Sequence, residues 1–138
     1  MHRIRGVYMA RCLAETGFGY IVISDKRYDH DVVIYPGGRV EKRRKELSSA
    51  KRDMYGHTPL SGEELGYYLS AAGNIDCLVI GTGQYGALPL DDKAKRIIRE
   101  LRDRGVSVVV DKTPAIVERC DEILSRCKNP LVIVHVTC

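Results

Sequence analysis

The series Gly81-Thr82-Gly83-Gln84-Tyr85-Gly86 follows an apolar run and spells G-x-G-x-x-G, with Asp111 at the end of the next apolar run. That is the outline of a dinucleotide-binding turn, in which backbone N–H groups and a helix N-terminus hold phosphate. The context argues against it. Pro89 intervenes and the helix signal waits until Asp91, so the glycines have no helix end beside them. A weaker chemistry remains, because glycines at the carboxyl end of a central strand are where open α/β sheets place ligands. Gly81, Thr82, Gly83, Gln84, Tyr85 and Gly86, together with His57, are therefore the candidate pocket for a small ligand or anion. The plain alternative is a tight turn that needs positive φ at Gly81 or Gly83.

Among the histidines, His30, His57 and His135 show no i, i+4 spacing. His135 and Cys138 lie three apart, on opposite faces if the last strand continues, which is a poor two-ligand grip on a metal. A Cys138 nucleophile served by His57 or His135 needs only contact in space, yet a thiol beside a terminal carboxylate has its thiolate disfavoured. No catalytic residue is assigned, and no metal or cofactor is expected. The five cysteines, at 12, 77, 120, 127 and 138, contain no C-x-x-C pair and read as reduced thiols of a cytoplasmic chain, with Cys77, Cys120 and Cys127 as small core residues.

The third candidate is charge. Between Lys26 and Arg52 stand nine basic and four acidic residues, a net +5, which leaves the rest of the +4 chain at −1. Arg39, Lys42, Arg43, Arg44 and Lys45 form a candidate basic contact surface, and Tyr28 and Tyr35 could stack bases beside it. Nucleic-acid binding through residues 39–52 is thus one reading, against the more ordinary one of a solvated charged loop.

The elements that must hold these residues follow from periodicity. Residues 19–23 and 32–35 are short β-branched and aromatic runs separated by a polar stretch, and Arg39-Val40-Glu41 returns after the Pro36-Gly37-Gly38 turn. From Leu60 the period becomes 3.6. Ser61 and Glu64 make a capping box, Leu65, Tyr68, Leu69 and Ala72 a stripe, and Gly73 a stop before Cys77-Leu78-Val79-Ile80. The form repeats from Asp91 to Gly105 with a strand at 106–110, and again from the cap Thr113-Pro114 with a strand at 131–134. Three helix-strand units imply a mainly parallel buried sheet, so residues 1–138 are read as one three-layer α/β domain with a mixed central sheet and an N-terminal antiparallel β layer. No run approaches the length needed to span a bilayer, and the start lacks the apolar stretch of a leader.

Taken together, Tyr28-Asp29-His30-Asp31 through Arg39-Val40, His57 with Leu60-Ser61 and Glu64, Gly81 to Gly86, Thr113-Pro114-Ala115 and His135-Val136-Thr137-Cys138 resemble one family over about residues 20–138. It is the small single-domain family of unknown function that includes the adipogenesis-associated protein and a mitochondrial respiratory complex I assembly factor. The resemblance implies a β plus α/β/α fold, a glycine loop without an established cofactor, and action through protein partners. The chain departs from relatives at Asp121-Glu122 and at Lys128-Asn129-Pro130. The leading expectation is a non-catalytic protein-binding or assembly module, in the cytoplasm and free to form homo-oligomers. An enzyme or small-ligand binder at the glycine loop is the competing class.

Overall fold

The computed structural model describes residues 12–51 and 58–138. His57 and Arg52, both named above, lie outside the described residues. Five strands open the chain: β1 (Leu13–Gly17), β2 (Tyr20–Ile23), β3 (Lys26–Tyr28), β4 (Val32–Ile34) and β5 (Val40–Lys42). Two 3-10 turns, Lys45–Leu47 and Ser49–Lys51, follow. Then come α1 (Gly62–Ala72), β6 (Cys77–Thr82), α2 (Asp92–Asp103), β7 (Ser107–Asp111), α3 (Thr113–Glu118), α4 (Cys120–Leu124) and β8 (Pro130–His135).

The central sheet has the order β5-β4-β8-β6-β7, parallel where β6 meets β7 and β8 and antiparallel where β4 meets β8 and β5. The expected mixed central sheet is therefore present, but with two parallel and two antiparallel pairings it is not mainly parallel, because β4 and β5 join it as a hairpin. The first three strands form a separate antiparallel sheet. The polar stretch expected to separate two strands itself contains β3, since pairing against β2 needs backbone groups and not apolar side chains.

Strand alternation divides the interior in two. Val32, Ile34, Cys77, Val79, Val132 and Val134 face the small sheet, α3 and α4. Val33, Leu78, Ile80, Leu131 and Ile133 face α1 and α2. An unbroken apolar strand is the only sequence that satisfies both faces.

The helix ends follow their caps, with two changes. Ser61 Oγ accepts the Glu64 N–H at 3.1 Å, but the Glu64 carboxylate does not return to the Ser61 N–H, which instead donates to Ser48 Oγ at 3.0 Å. Asp91 Oδ1 caps α2 through the Ala94 N–H at 2.8 Å and also accepts the Gly62 N–H of α1 at 2.9 Å. Thr113 does not cap the third helical stretch with its side chain, because its hydroxyl is turned toward the glycine loop. That stretch also breaks at Arg119 into two short helices.

The cysteines are the larger correction. Cys12 is bonded to Cys120 and Cys77 to Cys127, with Cα separations of 6.0 and 5.9 Å, and Cys138 alone is a free thiol. Cys77, Cys120 and Cys127 are buried as expected of core residues and Cys12 is buried with them, but none of the four is reduced. Partners 108 and 50 residues apart leave no local spacing signal; only the packing of β1 on α3, just ahead of Cys120, and of β6 beside the segment entering β8, brings them together. The thiol count therefore no longer argues for a reducing compartment.

Candidate functional site

Five charged or polar groups are buried where the 3-10 segment crosses the start of α1. Glu64 is fully buried, Asp31 is 2% exposed and Arg43 4%. The Arg43 guanidinium donates through Nε and Nη2 to the two Glu64 oxygens at 2.7 and 2.9 Å, through Nη1 to Asp31 Oδ2 at 3.0 Å and through Nη2 to the Pro59 carbonyl at 2.8 Å. Ser48 Oγ and Tyr68 Oη donate to the same Glu64 carboxylate at 2.5 and 2.6 Å. Two carboxylates, one fork-shaped cation and two hydroxyls thus satisfy one another, as buried charge requires. Burial first, then the charge of Glu64, pushes the Tyr68 phenol up, so it stays a donor. For Arg43, burial works against the cation, but the Glu64 contacts outweigh it and keep the guanidinium charged.

Asp31 carries this network to the surface. β4 and β8 are antiparallel with Val32 opposite Val134, which brings the next residues out, Asp31 and His135, side by side. Asp31 Oδ1 accepts the Val136 N–H at 2.8 Å, and Oδ2 lies 2.7 Å from His135 Nδ1. Burial alone would raise the Asp31 carboxyl, but the His135 bond and charge, the Val136 N–H and Arg43 overcome it and hold it at about 2. A carboxylate ionised at neutral pH can only accept, so Nδ1 carries the proton of this bond and Nε2 is the ring nitrogen turned away from Asp31. Nε2 lies 3.3 Å from Thr137 Oγ1. His135 lines a cleft of about 130 Å³ with Lys45, Thr58, Ala87, Leu88, Thr137 and Cys138. The strand ends at His135, so His135 and Cys138 reach one cleft instead of opposite faces.

The glycine loop braces this segment from the other side. Gly83 has φ of +104°, whereas Gly81 does not need positive φ; it is small because a Cβ there would sit 2.7 Å from Thr113 Oγ1. The Gly83 N–H donates to Thr113 Oγ1 at 2.9 Å, and Gln84 N–H to the Thr137 carbonyl at 2.7 Å. The N–H groups of Tyr85 and Ala87 both donate to the backbone oxygen of Cys138, at 2.8 and 3.1 Å. These donors, expected to be open to an anion, hold residues 137 and 138 instead.

Above the loop, Phe18 in the β1–β2 turn is 60% exposed and Tyr85 is 71% exposed, with ring centroids 6.3 Å apart. Gln84 Nε2 donates to Thr16 Oγ1 at 3.0 Å and Gly19 N–H to the Val136 carbonyl at 2.8 Å, so turn, glycine loop and the end of β8 are tied together.

The basic run is divided. Arg43 is buried and cannot belong to a contact surface, because α1 supplies its carboxylate partner. Arg39 lies over the Tyr35 ring at 4.5 Å, Arg44 over Tyr67 at 5.0 Å, and Lys45 reaches Asp31 Oδ2 at 3.6 Å. Tyr35 is 4% exposed, and Lys26 lies over Tyr28 at 5.2 Å, so neither tyrosine offers a bare face for a base. His30 Nδ1 is 2.9 Å from the Asp31 carbonyl, outside the cleft. Asp76, Cys77 and Cys127 bring ligand atoms within 4.8 Å of one another, but both sulfurs are spent in a disulfide.

The buried Asp31–Arg43–Glu64 cluster escaped the sequence because Arg43 sits in a run of four cations and is indistinguishable from its neighbours. Asp31 and His135 bound apolar runs at opposite ends of the chain, a signal usable only once β4 and β8 are known to pair.

Comparison with known proteins places these features in a wider setting. The model of a family described as protein of unknown function (DUF498/DUF598) matches residues 13–135, a span that holds most of the motif series above. A conserved hypothetical protein from Pyrococcus horikoshii is 35% identical, with a TM-score of 0.74 over 91% of this chain and 98% of that one. A structure named MT938 is 26% identical, with a TM-score of 0.68 over 92% and 98% of the two chains. A Bordetella parapertussis protein, 20% identical with a TM-score of 0.59 over 90% and 93%, shares the fold. No curated protein matches.

Proposed function

We propose, on the premise that this chain belongs to the DUF498/DUF598 family of unknown function, that it is a protein-binding or assembly module. The contact face is built from the β1–β2 turn, the glycine loop and the end of β8. One observation carries this reading: Phe18 and Tyr85 are the two most exposed large apolar side chains among the described residues, and they stand together. Solvent-exposed aromatic rings on loops held by a rigid sheet are the side chains that dominate protein contacts when a partner covers them. Lys45, half-exposed at the neighbouring cleft, suits a partner with acidic groups at the rim.

The test is affinity capture from native extract with the wild-type chain and with Phe18→Ala/Tyr85→Ala. The wild-type chain is expected to retain the same protein in independent preparations, and the double variant, with unchanged melting behaviour, to retain at least tenfold less. Equal retention by the variant would remove this face from consideration.

A further inference from the structure

We infer that Thr137, His135 and Asp31 form a hydrogen-bonded base relay that makes the cleft beside the glycine loop an acyl-transfer site for small esters. The inference does not rest on the protein-binding reading: it shares the end of β8 and Lys45 with that face but draws nothing from the Phe18–Tyr85 pair. Its basis is the order of contacts. Thr137 Oγ1 is 3.3 Å from His135 Nε2, and His135 Nδ1 is 2.7 Å from Asp31 Oδ2. A hydroxyl, an imidazole and a buried carboxylate in that sequence are the parts of a nucleophile, its base and the group that fixes the base, recognised by geometry and not by chain position.

Each part is held. Asp31 cannot turn away, because its other oxygen accepts the Val136 N–H at 2.8 Å and Arg43 Nη1 donates to Oδ2 at 3.0 Å. The ring is therefore set with Nε2 toward Thr137. Thr137 is fixed by the Gln84 N–H on its carbonyl at 2.7 Å. This gives the glycine loop a task, which is to immobilise the nucleophile's backbone. Lys45 lines the same cleft with its ammonium 3.6 Å from Asp31 Oδ2, so the cleft carries a positive charge that favours an oxyanion over a neutral carbonyl. A volume of about 130 Å³ admits an acetyl-sized group and excludes a bulky acyl chain.

The step balances without a cofactor. Thr137 Oγ1 attacks the ester carbonyl carbon while its proton passes to His135 Nε2. The tetrahedral species collapses with cleavage of the carbon–oxygen bond to the leaving group, which departs with the electron pair and takes the proton from the imidazolium. Water, deprotonated by the same nitrogen, then attacks the Thr137 ester and releases the carboxylic acid and the free hydroxyl. Asp31 touches no substrate and acts as a positioning residue.

The experiment uses the full chain and p-nitrophenyl acetate. Release of p-nitrophenolate is followed with time, and the acetylated residue is located by peptide mass mapping after a short reaction. Acetylation at Thr137 is expected, with a rate that falls on the order of 10²–10⁴-fold in His135→Gln and that is lost in Thr137→Val. Imidazole nitrogen-15 spectra test Asp31 separately: the proton sits on Nδ1 in the wild-type chain and moves to Nε2 in Asp31→Asn. Should Asp31→Asn fail to fold, the other two variants decide. No adduct, an adduct confined to Cys138 or Lys45, or an unchanged rate in His135→Gln overturns the proposal.

Discussion

The two faces of the central sheet are closed in opposite ways. On the face of Val32, Val79 and Val134, two disulfides join the apolar layer. On the face of Val33, Ile80 and Ile133, the apolar core is joined at its edge by the Arg43–Glu64–Asp31 cluster. The covalent solution is indifferent to pH and ends where the sulfurs end. The ionic one continues through Asp31 to His135, and so on that face a hydrogen-bonded path runs from buried charge to a solvent-accessible cleft.

The largest break is expected from reduction. The two bonds close loops of 108 and 50 residues, and removing such bonds costs about 2–5 kcal/mol each. Urea unfolding with and without reductant should show a large fall in midpoint; an unchanged midpoint would mean that apolar packing alone holds the first face. Next comes Glu64→Gln, which leaves Arg43 buried without its bidentate partner, at a cost of about 3–5 kcal/mol. Arg43→Met/Glu64→Met should lose less than the sum of the two single variants, since it buries no orphan charge. If the two effects simply add, the cluster is not a unit.

The smallest effect is that of acid. Asp31 titrates at about 2 in the folded chain against an ordinary 3.8, so its stabilisation is complete above the ordinary value and is lost as pH falls toward 2. The difference corresponds to about 2 kcal/mol. Melting curves between pH 5 and pH 2 should show that fall in the wild-type chain and a flatter profile in Asp31→Asn. The disulfides should contribute nothing to the slope.

The same contrast explains what the sequence disclosed. Cys77-Leu78-Val79-Ile80 and Leu131 to Val134 were legible as strands because burial on both faces leaves no room for a polar residue. The caps at Ser61 and Asp91 were legible because they satisfy N–H groups three residues away. Everything that depended on contact across the fold was hidden. Cys12 finds Cys120, Asp31 finds His135 and Arg43 finds Glu64 only after the sheet has formed. β1 and β3 were missed because exposed, polar three- to five-residue strands are specified by their neighbours. The glycine loop was legible as a turn, but not its occupant, since residues 137 and 138 reach it from the next strand of the sheet.

One carboxylate, that of Asp91, accepts an N–H from the first turn of both α1 and α2, and at Gly62 a side chain would meet Lys93. Two helices anchored at a common point and in close contact there resist sliding past one another at that end. They form a single plate. A disturbance of α1 at Glu64 would therefore be felt along α2 as a tilt, and the cleft, bounded by Ala87 and Leu88 just ahead of that anchor, would change its width before its chemistry.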